Sequence, residues 1–124
     1  MRISRERFEE LAFQIAEAVV DELPPDLRAE AETVILDVAE WPNPGQAGGD
    51  ARTLLGLYEG VPLVERGADS VLLQPDRITL FQGPLQQMAR TEVELRRHIR
   101  KTLVHELGHF FGFDEGELHA RGWA

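Results

Sequence analysis

Leu95, Ile99, Leu103 and Leu107 recur every four residues through LRRHIRKTLVHELGHFFG, and no other stretch constrains the chain as much. That recurrence is helical periodicity, and it commits one face of a long helix to a core. Both ends of the helix are marked. Thr91, with Glu94 three residues later, forms a capping box that opens it. Gly112 closes it, because glycine adopts the left-handed conformation that ends helices without a Cβ clash. The rest of the chain must pack against this rod.

A second helical stripe runs from Ser4 to Leu23 through Phe8, Leu11, Ala12, Ile15, Ala16 and Val19, with Ser4 as N-cap and Pro24-Pro25 as the stop. TVILDVAEW (33–41) is β-branched and alternating, which predicts a strand with Val34, Leu36 and Val38 on one face. PNPGQAGGDAR (42–52) reads as a polar loop. LLGLYEG (54–60) predicts a short strand and VPLVE (61–65) its continuation around a turn. ADSVLLQPDRITLFQGP suggests one strand near Val71 to Leu73 and a stronger one over Arg77 to Gln82, punctuated by Pro75 and Pro84. Asp114 is placed to cap a last short helix, EGELHAR, closed by Gly122. With 124 residues and no internal repeat, one core is expected rather than two. The reading is a single α+β domain over residues 1–124: N-terminal helix, small mixed β-sheet, long helix, short C-terminal helix.

Composition removes several functional classes. The net charge of −9 argues against a surface that tracks phosphates, so no nucleic-acid partner is expected. Arg96, Arg97, Arg100 and Lys101 read as a solvated helix face. No apolar run approaches the ~20 residues that span a bilayer, and MRISRERFEE has no secretory pattern. Cysteine is absent, so neither a disulfide nor a thiolate ligand is available. A cytoplasmic protein without a membrane partner is expected.

The chemistry concentrates in HELGHFFGFDE, residues 105 to 115. Residues i and i+4 of a helix share a face, so His105 and His109 can aim ring nitrogens at one point roughly 2.0–2.1 Å away, the zinc–imidazole distance. Glu106 is rotated by about 100° from His105. It is poorly placed to ligate the same ion but well placed to take a proton from zinc-bound water. A catalytic zinc wants a third protein ligand. In the spacing H-E-x-x-H-x-x-G-x-x-H that ligand stands six residues after the second histidine, the position of Glu115 here. Asp114 is the neighbouring alternative, also suited to capping; Glu117 and His119 are more distant ones. One Zn2+ per chain is expected. The competing reading makes Leu107, Phe110, Phe111 and Phe113 core residues beside two hydrogen-bonded histidines.

LLGLYEGVPLVERG (54–67), PDRITLFQGPL (75–85) and the run from LRRHIRKTLVHELGHFFGFDEGEL to the closing GW resemble the small bacterial and archaeal zincin-like metallopeptidases. The resemblance extends over nearly the whole chain. It implies a minimal zincin, with a short sheet against the active-site helix and zinc on His105, His109 and an acidic third ligand. Around the motif the chain is also similar to metzincins. It departs from them in having no methionine after Glu115; Met88 lies upstream. The expected reaction is hydrolysis of peptide bonds in a peptide or unfolded protein substrate, with Glu106 as general base. Tyr58, His119 and Arg77 are candidate oxyanion donors, and His98 a candidate for the site entrance. The strand RITLF is read as an edge to which extended substrate can add, the alternative being a strand paired on both sides. Two other readings compete. One is a zinc-binding regulatory domain without turnover. The other is a metal-dependent endoribonuclease, since GFDE (112–115) looks similar to the G-Y-D-H of ribosomal-RNA maturation enzymes. Against the latter stand the Glu beside His105 and the acidic chain.

Overall fold

The computed structural model describes residues 1–67 and 75–123. The architecture is α+β, as the sequence predicts: a small mixed sheet packed against two long helices. Helix α1 spans Arg5–Asp21, and the Ser4 hydroxyl accepts the Arg7 N–H at 3.0 Å to cap it. Helix α5 spans Glu92–Phe111. Thr91 Oγ1 accepts the Glu94 N–H at 3.2 Å, while the Glu94 carboxylate turns back to the N–H of Arg90 rather than that of Thr91. Only half of the expected capping box forms, and it suffices to start the helix.

Strands β1 (Ile35–Ala39), β2 (Gly56–Glu59) and β3 (Arg77–Phe81) form the sheet, in the order β1-β3-β2. β1 runs parallel to β3, with Ile35 opposite Arg77, and β2 runs antiparallel to it, with Gly56 opposite Leu80. This corrects the expectation for RITLF: β3 is central and paired on both sides. Ile78, Thr79, Leu80 and Phe81 are all buried, which fits a strand inside the sheet. The edge beside α5 belongs to β2 instead.

Prolines account for three further differences. Pro25 does not merely stop α1; it is the first residue of helix α2 (Pro25–Ala31), where a missing N–H costs nothing. Residues 42–52 contain a one-turn helix α3 (Pro44–Ala47), opened by a reciprocal box between Asn43 and Gln46. Pro84 sits in the first turn of helix α4 (Gln82–Met88), which follows β3 directly. VPLVE contributes a 3-10 turn, Leu63–Glu65, rather than a strand. The strand expected near Val71 to Leu73 lies outside the described residues.

The core joins Phe8, Leu11 and Ile15 of α1 to Leu95, Ile99, Leu103 and Phe110 of α5 and to Ile78 and Leu80 of β3. Leu36 and Val38 of β1, and Val34 just before it, pack against it as the alternation predicts. The leucine row of α5 is thereby fixed, and the rotation of the helix about its axis with it. That rotation decides where His105 and His109 point. Among the described residues no helix is long and apolar enough to cross a membrane.

Candidate metal centre

His105 and His109 lie on the partly buried flank of α5, one turn apart. Their Nε2 atoms approach to 3.1 Å, and the rings stand nearly perpendicular at 82°. After His109 the chain reverses. Gly112 has φ +85°, its N–H donates to the carbonyl of His109, and the Phe113 N–H donates to that of Gly108 at 2.9 Å. That pair of bonds is a Schellman motif. A side chain at 112 would be strained by φ and would also meet Val64 Cγ2 at 2.3 Å.

The reversal leads into helix α6 (Glu115–Ala120). Asp114 caps it: its carboxylate accepts the Glu117 N–H at 2.7 Å, and Glu117 accepts the Asp114 N–H in return. The carboxylate facing the histidines is therefore that of Glu115, with Oε1 3.9 Å from His105 Nε2. One ligand atom from each of His105, His109 and Glu115 lies within 4.8 Å of the other two. His119 is exposed on α6, outside this group. The docking of α6 depends on Gly108 inside the motif, where a Cβ would lie 2.1 Å from Leu118 Cδ2. A glycine in the middle of an apolar helix face signals such close approach.

The donor set fits a divalent metal. Tetrahedral zinc bound at ~2.0–2.1 Å holds its ligand atoms roughly 3.3 Å apart. The histidine pair is already near that spacing, and the Glu115 side chain, 72% exposed, has room to close the remainder.

Glu106, beside His105 in the sequence, is only 9% exposed. Its Oε1 accepts the main-chain N–H of Tyr58 from edge strand β2 at 2.8 Å. Burial pushes its pKa up; the Tyr58 N–H and the neighbouring imidazoles act against that shift. Beside it a cleft of about 420 Å³ opens between α5 and β2, bounded by Leu55 and Gly56 on one wall and by Thr102, His105 and Glu106 on the other. His98 lines the same cleft.

The other candidate donors are committed elsewhere. The Tyr58 hydroxyl donates to Asp76 at 2.6 Å, and burial raises the phenol's pKa above its usual value. Asp76, itself 4% exposed, also takes Arg66 at 2.6 Å. Tyr58 is thus a packed strand aromatic, edge-on to Phe110. Arg77 is ion-paired with Asp37 across β1 and β3. From sequence the phenol is one of three candidate donors and reads more readily as a packed strand aromatic; the group of Tyr58 that reaches Glu106 is its amide.

The comparisons with known proteins agree with this geometry. The family model described as zincin-like metallopeptidase matches residues 31–123. The chain belongs to that family. A solved structure, described as a conserved hypothetical protein from "Thermo thermophilus", is similar to this zincin-like chain. It shares 25% identity at a TM-score of 0.55, over 95% of this chain and 99% of the other. No curated protein matches the chain. Zincin-like proteins typically carry zinc, and His105, His109 and Glu115 are the residues of this member that would hold a metal.

Proposed function

We propose that this zincin-like protein is a zinc-dependent peptidase in which His105, His109 and Glu115 hold the metal and Glu106 is the general base. The observation that carries the reading is the position of Glu106. It is buried, it lines the cleft together with His105, and a main-chain N–H fixes one of its oxygens. A carboxylate held beside a metal site, rather than in it, is suited to accepting a proton. Two imidazoles and a carboxylate are the ligand count of catalytic rather than structural zinc sites. Zinc bound there would supply a Lewis acid for the substrate carbonyl and ease removal of a proton from water.

The chain's own residues do the remaining work. β2 presents its outer edge at the cleft. The Phe81 N–H bonds the Leu55 carbonyl at 3.0 Å, so by the antiparallel alternation Leu55 and Leu57 face β3. The main-chain groups of Gly56 and Tyr58 face outward, and it is on this side that the Tyr58 N–H bonds Glu106. With the Tyr58 N–H held by Glu106, an extended peptide adds to that edge through the main-chain groups of Gly56 and the Tyr58 carbonyl, which gives affinity with little reading of side chains. A peptide or unfolded protein segment suits such a groove, with Glu106 as the group to accept the proton of the attacking water.

The decisive test is Glu106→Gln. Zinc content by metal analysis stays at about one per chain, and chelator-sensitive cleavage of a casein-like substrate falls by at least about two orders of magnitude, the usual contribution of general base catalysis. Unchanged cleavage would refute the assignment. Loss of zinc together with activity would reassign Glu106 to a structural role.

A further inference from the structure

The cleft extends well beyond the metal group. From His105 and Glu106 it runs along α5 past Thr102 to Lys101, His98 and Arg97, with Met88 also lining it. Its surface is apolar near β2 and cationic along this part of the helix.

The four basic residues of α5 divide into two pairs. Arg96 pairs with Glu92 at 3.5 Å, and Arg100 pairs with Glu22. Arg97 and Lys101, four apart and both lining the cleft, have no acidic partner among the described residues. Like charges at that spacing repel each other on a helix. The chain has 22 acidic side chains against 13 basic ones, so uncompensated cations lining one cleft need an explanation. The same two residues also line a second hollow on their other flank, with Val104, Arg121 and Trp123. Among the described residues, Glu106 is the one acidic side chain that lines either hollow.

We propose that Arg97 and Lys101 form a specificity subsite for a substrate carboxylate, seated two to four residues from the scissile bond. The inference rests on the peptidase reading for its distance scale. Lys101 and Arg97 precede His105 by four and eight residues, or about 6 and 12 Å at ~1.5 Å per helical residue. An extended peptide covers ~3.3 Å per residue, so those lengths correspond to about two to four residues of substrate. The carboxylate comes either from a Glu or Asp side chain or from the substrate's own C-terminus. Both are anions that guanidinium and ammonium donors recognise through charge-assisted hydrogen bonds. The apolar wall formed by Leu54 and Leu55 accommodates the residues between the carboxylate and the cleaved bond.

The test uses zinc-loaded protein and fluorescent hexapeptides that differ only in Glu versus Gln at each position, each with a free or an amidated C-terminus. Turnover and binding by fluorescence anisotropy are measured side by side. The expected result is about tenfold higher kcat/KM, and similarly tighter binding, for peptides carrying a carboxylate two to four residues from the cut. The Glu series against the amide series tells side chain from terminus. In Arg97→Gln/Lys101→Gln the preference falls to near unity through KM, with kcat on the Gln peptides unchanged; both positions are exposed, so folding is not at issue. Equal handling of Glu and Gln by the wild type, or a preference that survives the double variant, overturns the subsite. If no peptide is cut but the Glu preference in binding persists and depends on Arg97 and Lys101, the peptidase reading fails and the carboxylate site stands.

Discussion

The two halves of the candidate metal centre are built differently. His105 and His109 project from a twenty-residue helix whose other face is locked into the core by Leu95, Ile99, Leu103 and Leu107. Glu115 stands at the start of a six-residue helix and is largely exposed. What ties that short helix down is the buried side chain of Leu118, seated against Gly108. The histidine pair is thus set by the fold itself, whereas the Glu115 carboxylate is set by one local docking contact. Rigid elements hold a site more closely than exposed ones, so the tail is the part that metal binding should order.

Three substitutions test this contrast, in descending order of effect. Thr79→Pro strikes the scaffold behind the histidines. Thr79 lies opposite Leu57 as a bonded pair in the central strand, and proline removes a ladder hydrogen bond there. Cooperative unfolding, zinc content and peptide cleavage should all be lost together; a protein that retains zinc while losing only cleavage would contradict a central β3. Gly108→Val strikes the contact between the halves. The new side chain overlaps Leu118, and overpacking of this kind costs about 1–3 kcal/mol. Helix content by circular dichroism should survive while zinc affinity falls as far as in Glu115→Ala, and undiminished affinity would show that the tail is held by something else. Asp114→Ala strikes the tail alone. Losing an N-cap costs about 1 kcal/mol, so the melting temperature should drop slightly with zinc still bound at one per chain. Complete loss of zinc in that variant would make Asp114 a ligand instead of a cap.

The same contrast separates what could be read from sequence from what could not. α5, its stop at Gly112, and the approach of His105 to His109 follow from local rules: helical spacing, a threonine cap and a glycine in left-handed conformation. That the carboxylate of Glu115 rather than Asp114 faces the histidines is also a local matter, since the capping box engages Asp114. The failures are non-local or concern proline. Strand order depends on which strand is covered on both faces, and RITLF carries no mark distinguishing a central position from an edge. Pro25 and Pro84 read equally well as terminators or as first-turn residues, and here both open helices. Tyr58 could be recognised as an aromatic on a strand, but its hydroxyl partner, Asp76, is eighteen residues away and no spacing rule connects them.

The hydrogen bond that steadies Glu106 comes from the polypeptide backbone at position 58, not from the tyrosine ring. Any amino acid could supply that amide except proline, which has no N–H to give. Comparing side chains between relatives would give this position little weight, although the orientation of the proposed base depends on it.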